Sequence, residues 1–323
     1  MTRRTVFAGL LIGSLLAQSA AWGQSYTLPP GSGDLMGIST QIPVRAGQTL
    51  SDIARDYSIG WDEIVGANPK VDPWLPGAGT DVVIPSRYIL PNAPRQGVVI
   101  NLPEMRLYYF HKPYKTGAQR VDTFPVSIGR MDWKSPLGAT KIASKQKDPP
   151  WYPPESIREE HAAKGDPLPK MVPAGPNNPL GQFALRLGVE GYLIHGTDKP
   201  YGIGMQVTHG CMRLYPEDIE TVFNTVQVNT PVQIVNQHVK VGWSNGTLYI
   251  QVRPQLPEFE MPREDAMSTA IRLVSLETND TLPANFDWTV VKKAVDEARG
   301  VPVAIWSRTG YLEASFAPSA RLP

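Results

Sequence analysis

Cysteine is almost missing from this chain: Cys211 is the single one among 323 residues. One thiol cannot form an intrachain disulfide, so no disulfide framework holds the fold. Long apolar runs are missing too. After the first 25 residues nothing approaches the ~18 consecutive apolar residues of a membrane-spanning helix. Neither charge dominates, with 31 Lys and Arg against 30 Asp and Glu. That balance excludes a partner held by bulk positive charge, and no nucleic acid is expected. Turn formers, by contrast, abound. The 32 prolines and 28 glycines predict a mainly β architecture with some α and several long proline-rich loops.

The opening stretch "MTRRTVFAGLLIGSLLAQSAAWGQS" has the layout of a secretory signal peptide over residues 1–23. Arg3 and Arg4 form a basic start, Val6 to Leu16 a short apolar run, and Ala21 and Gly23 the small residues of a cleavage site. No cysteine follows that site, so no lipid anchor is expected, and the general secretory route fits better than the twin-arginine one. Removal leaves 29 basic against 30 acidic residues and an exported protein long enough for two or three domains. An unpaired thiol in an oxidising compartment risks oxidation. It is either a buried small hydrophobe or a reactive group.

Three regions follow. Residues 42–85 read β-α-α-β: "TLSDIARDYS" opens with a capping box from Thr49 to Asp52, and Leu50, Ile53, Ala54 and Tyr57 recur at helical spacing. "WDEIVGANP" is a second short helix, and "DVVIP" a closing strand. Residues 97–236 alternate strands with turns, from "GVVINLPEMRLYYF" through "TFPVSIGR", "SPLGATKIASK" and "GQFALRL" to "GYLIH". They finish with the helix "YPEDIETVFNTV" and the strand "TPVQIVN". Nine prolines within 145–180 predict a long irregular segment, a lid or a disordered stretch. Glu155, Arg158, Glu159 and Glu160 in it read as a solvated turn of helix, and Trp151 and Tyr152 as a packed lid edge. Residues 237–323 carry a hairpin at Asn245-Gly246, helices over 263–276 and 287–299, a strand "VPVAIWS" and a frayed end. The role of 260–323 is not legible.

Chemistry centres on "THGCMR", residues 208–213. A thiol titrating near ~8.5 needs a neighbouring base or a positive setting to act as a nucleophile. Two histidines are close. His209 lies two residues away, and in an extended strand Cβ atoms at that spacing are about 7 Å apart. His195 ends the strand "GYLIHG" and can meet Cys211 if "GTDKPYGIGMQVT" loops back. The residues lean only slightly to His195. Gly210 allows close backbone approach, and its N–H with that of Cys211 could face an oxyanion. Arg213 suits a carboxylate, and the Gly196 carbonyl could orient His195. His195, His209 and Cys211 could also be zinc ligands, but no fourth ligand or familiar spacing appears, so neither metal nor cofactor is expected. His111, His161 and His238 read as surface residues.

Two resemblances sharpen this. "GQTLSDIARDY", "ANP" and "VIP" resemble the LysM module, which implies binding to the N-acetylglucosamine backbone of peptidoglycan; the alternative is a small bracing domain. "IHGTDKPYGIGMQVTHGCMRL", residues 194–214, is similar to the signature of L,D-transpeptidases with a YkuD-type catalytic domain, and "NPLGQFALRL" and "SPLGATKI" look like family segments. The order of parts resembles periplasmic enzymes of Gram-negative bacteria. The resemblance implies Cys211 as nucleophile, His195 as base and Gly196 as the residue orienting it. It implies Thr208, His209 and Gly210 as acyl pocket and oxyanion site, and Arg213 as substrate ligand. The implied reaction attacks the third stem residue, meso-diaminopimelate, releases D-alanine and passes the acyl group to an amine. That amine is another stem (a 3→3 cross-link) or an outer-membrane lipoprotein, with water as a third acceptor. Carbapenems are expected to acylate Cys211. A scaffold that has lost activity, or a cysteine peptidase of another fold, are the competing readings.

Overall fold

A computed structural model describes residues 23–259, 265–282 and 286–308. The signal-peptide reading, apart from Gly23, and the frayed end fall outside the described residues.

Hydrophobic alternation builds one large sheet. Its nine strands lie in the order Gln24–Leu28, Gln119–Pro125, Arg106–Phe110, Gly97–Asn101, Pro231–Val235, Gly138–Lys147, Phe183–Leu187, Leu193–His195 and Met212–Arg213. Two neighbour pairs are parallel: Gly97–Asn101 with Pro231–Val235, and Leu193–His195 with Met212–Arg213. The strand read as the last of the sheet, "TPVQIVN", is therefore interior. Its β-branched residues Val232 and Ile234 are buried on both sides by neighbours. Strand Gly138–Lys147 bends at an irregularity between Ile142 and Ser144. Its first half pairs with Pro231–Val235 and its second with Phe183–Leu187, so a bulge turns the sheet towards the thiol region. The mainly β expectation holds, with six helices among the described residues.

Helix α4 (Pro216–Thr225) lays Ile219 and Val222 on the core formed by Leu185, Ile194, Met212 and Leu214. The first strand, Gln24–Leu28, was not legible, because "QSYTL" is short and polar. Pairing with Gln119–Pro125 makes it an edge strand.

In the 42–85 stretch, strands Thr40–Pro43 and Asp81–Ile84 pair antiparallel beside α1 (Leu50–Asp56) and α2 (Trp61–Ala67). The Thr49–Asp52 capping box closes in both directions, at 3.2 and 2.9 Å. Asn68 ends α2 and ties it to the strand, giving Nδ2 to Ile64 O and Val83 O and accepting from Val83 N, each at 2.8 Å.

This unit is joined to the large sheet by a buried ion pair. Arg106, fully buried, reaches Glu63 of α2 with two hydrogen bonds at 2.8 and 2.5 Å. The start of α2 also holds the loop after His195: Trp61 N donates to Ile203 O at 2.8 Å and Asp62 N to Gly204 O at 3.1 Å.

Strands Val239–Ser244, Thr247–Val252 and Val303–Ser307 form a separate antiparallel sheet. Helices α5 (Ala266–Glu277) and α6 (Trp288–Glu297) cover it through Ala270, Val274, Val291 and Ala294. Asn245 and Gly246 both have positive φ, as the tight hairpin requires. His238, read as a surface residue, is instead buried against this sheet.

Candidate active site

The parallel pairing of Leu193–His195 with Met212–Arg213 sets the site. Ile194 lies opposite Met212 and His195 opposite Arg213. Ile194 and Met212 are fully buried in the core. Side chains alternate along a strand, so His195 and Arg213 occupy the other face, and the Arg213 charge acts on both His195 and Cys211. With strands ~4.8 Å apart and ~3.3 Å per residue, the Cα atoms of His195 and Cys211 are about 8 Å apart, within side-chain reach. The connection between the strands, residues 196–211, is what brings them together; α2 holds it at Ile203 and Gly204.

His195 is buried, and its Nδ1–H donates to the Gly196 carbonyl at 2.6 Å. A carbonyl only accepts, so the proton sits on Nδ1 and Nε2 keeps its lone pair. Burial, reinforced by the Arg213 charge, lowers the ring to about 4, against the pull of the Gly196 and Leu180 carbonyls. The imidazole is neutral at pH 7.

Cys211 is half-buried. Burial pushes its thiol above the ordinary value, while a Leu193 backbone contact and the Arg213 charge oppose. Its Sγ lies 3.8 Å from Gly191 O. The thiol and the imidazole are therefore both neutral at pH 7.

The loop before the thiol is tightly clamped. Thr208 is buried, and its Oγ1–H donates to Cys211 O at 2.6 Å. Gly210 has φ +96°, and a Cβ there would lie 2.8 Å from the Tyr192 ring. Gly129 faces it: a Cβ on Gly129 would meet Gly210 Cα at 2.8 Å and Trp133 O at 1.9 Å. Buried Ser135 accepts from Gly129 N at 3.0 Å and donates to Gly210 O at 2.9 Å.

Arg213 forms no ion pair among the described residues, although Asp198 and Cys211 act on it electrostatically while burial lowers it. Its backbone bridges to Ser127. His209 is drawn another way: its Nε2 lies 3.0 Å from Glu160 Oε2 and its ring meets Trp133 edge-on at 5.0 Å. Burial lowers His209 too, against the Glu160 contact.

The sequence is that of a known kind of domain. Residues 95–234 match the YkuD model, the L,D-transpeptidase catalytic domain. "Probable L,D-transpeptidase YcfS" of Escherichia coli strain K12 is 37% identical over 305 residues, covering 93% of this chain and 92% of that protein. "Probable L,D-transpeptidase YbiS" of the same strain is 37% identical over 311 residues, covering 94% and 99%. "Probable L,D-transpeptidase ErfK/SrfK" of Salmonella typhimurium strain LT2 is 35% identical over 313 residues, covering 94% and 98%. The chain belongs to the L,D-transpeptidase family.

This family member carries a further charged group that sequence reading passed over. Glu160 was placed on a solvated helical turn. The helix exists, as α3 (Glu155–Ala163), but Glu160 accepts from Lys164, Arg130 and His209. Those bonds, that from Lys164 first, hold its carboxyl well below the usual range, so it is ionised. Nothing local marked it, since Arg130 and His209 come from segments 30 and 49 residues away. Ser135 was quoted only as part of a turn.

Proposed function

We propose that this chain is a peptidoglycan L,D-transpeptidase in which Cys211 is the nucleophile and His195 the base. The observation that supports this reading is the parallel register that sets His195 beside Arg213, two residues past Cys211, with the His195 ring held through Nδ1 on Gly196. Sγ attacks the carbonyl of the third stem residue, and its proton passes to Nε2. The N–H groups of Gly210 and Cys211 face the developing oxyanion. As the tetrahedral intermediate collapses, the imidazolium returns the proton to the departing D-alanine amine. An acceptor amine then attacks the thioester, losing its proton to Nε2, and the thiol is regenerated. Arg213 receives a substrate carboxylate. Thr208 and His209 wall the acyl pocket.

The working compartment is the periplasm, reached through cleavage of residues 1–23, and the acceptor is a second stem or an outer-membrane lipoprotein. The βααβ unit at 42–85 is a LysM-like module that contacts glycan; the catalytic domain spans 97–236. The 145–180 segment is the lid that keeps water from the thioester.

The test is incubation of the mature protein with disaccharide-tetrapeptides, with products read by mass. Loss of D-alanine with dimer formation, absent in Cys211→Ala, is expected. A carbapenem should add one drug mass at Cys211. Turnover that survives Cys211→Ala would refute the assignment.

A further inference from the structure

The segment from Asp148 to Gly181 leaves the large sheet and returns to it as a closed-neck loop. Asp148 N donates to Gln182 O at 2.7 Å. Trp151 and Val172 exchange two backbone bonds at 2.9 and 2.8 Å. Buried Asn178 donates to Pro149 O at 2.9 Å and Pro173 O at 3.0 Å, and accepts from Leu180 N at 2.9 Å. The neck is therefore rigid. Helix α3, at the tip, is held differently. Arg158 pairs with Glu155 and His161 with Asp166, both within the segment. Among the described residues, Glu160 is the one α3 side chain that hydrogen-bonds outside the Asp148–Gly181 segment.

Its two outside partners belong to the thiol's surroundings. His209 is two residues before Cys211. Arg130 follows the strand beside Gln206–Thr208 and binds Thr208 O through its own N–H at 3.0 Å. Trp133, from the same turn as Arg130, packs edge-on against His209. One carboxylate thus joins the tip helix to the thiol loop, through His209, and to the turn after the strand paired beside it, through Arg130.

We infer that Glu160 is a positioning residue: it latches α3 over the thiol loop and so sets how the acyl-enzyme divides between amine and water. This rests on the transpeptidase reading above. The thioester has two exits. An amine nitrogen forms the new amide, releasing Sγ and giving its proton to His195; or water forms a carboxylic acid, with the same release of Sγ. Both begin from one intermediate, so their ratio is independent of how fast that intermediate forms. Opening of α3 admits bulk water and raises the hydrolytic share.

The experiment uses the mature protein with a tetrapeptide donor and an acceptor stem, reading hydrolysed against cross-linked product by mass. Glu160→Ala should raise the hydrolysis-to-transfer ratio about tenfold, and Glu160→Gln, which retains the bond to His209, by less. Lys164→Ala, which removes only the exposed partner, should stay within about twofold. Salt should raise the ratio in the natural protein and not in Glu160→Ala, because an exposed ion pair is screened within ~10 Å at 0.1 M. Should Glu160→Ala fail to fold, Arg130→Gln breaks the same contact from the other side. A ratio within about twofold of the natural protein in Glu160→Ala, or in Arg130→Gln where Glu160→Ala does not fold, overturns the latch. A natural protein that releases no D-alanine overturns the transpeptidase reading instead, and the latch with it.

Discussion

Replacing Glu63 by Gln should destabilise the protein far more than one conservative surface change. Arg106 is fully buried. Besides Glu63, its guanidinium has the Ser58 carbonyl and Thr123 Oγ1, both at 3.2 Å, and the face of Tyr88 at 4.5 Å. Arg253 Nη2 stands 3.5 Å from the same carboxylate. Glu63 is thus the anion between two buried cations. Gln keeps the shape and still accepts from Gly60 N, now 2.8 Å from Oε2, but leaves both guanidinium charges uncompensated. Breaking a buried pair in this way costs about 3–5 kcal/mol. For a chain of this size that lowers Tm by roughly 6–15 °C. The assay is thermal unfolding of the mature protein, followed by circular dichroism. The double variant Glu63→Leu with Arg106→Met should recover at least half of the loss, because an apolar pair avoids the desolvation cost. Full recovery is not expected while Arg253 remains. A fall in Tm below about 2 °C in Glu63→Gln would refute the claim that this pair docks the βααβ unit on the sheet.

Other consequences can be checked at the site and beneath it. The acylation rate should lose its lower limb only near pH 4, where His195 protonates, and iodoacetamide should label Cys211 with a midpoint above the ordinary thiol value; a labelling midpoint below pH 7 would indicate a preformed ion pair. Thr208→Val removes the bond to Cys211 O, a loss of about 1 kcal/mol, and should slow acylation about fivefold; Thr208→Ser should retain the rate. Asp218 of α4 is buried, and burial raises its carboxyl to about 7, against a bond from Ser58. Its folded pKa exceeds the unfolded one, so its contribution is complete below pH ~4 and declines as pH rises through 7. Asp218→Asn should therefore raise Tm at pH 8, by up to about 4 kcal/mol of stability, with the gain vanishing near pH 4; an equal gain at both pH values would refute the burial argument.

Local signals carried much of the architecture. The Thr49–Asp52 box, the Asn245-Gly246 turn and the apolar stripe Ile219, Val222 on α4 each depend on residues within four positions, and each is present. The 263–276 helix falls, within its described part, on α5. The helix over 287–299 ends earlier than its glycine suggested: Ala298, not Gly300, takes the left-handed cap of α6. Strand Gln24–Leu28 was missed because the strand it pairs with lies about a hundred residues on. The 145–180 segment was legible as proline-rich with a solvated helical turn; the length of α3 and the Trp151–Val172 bridge were not.

The sequence alone singled out Cys211, since a solitary thiol beside glycine and between polar residues is a chemical statement that needs no neighbours. It named His195 and His209 as candidates, leaned slightly to His195 from the residues, and took His195 as the base from the family resemblance. Tertiary structure adds what favours His195: two short strands in parallel register set it beside Arg213, two residues past the sulfur, while Glu160 engages His209. The protonation states were undecided until burial was known. A residue type sets an ordinary pKa; the solvent it loses and the charges it meets, contributed by segments far along the chain, set the actual one.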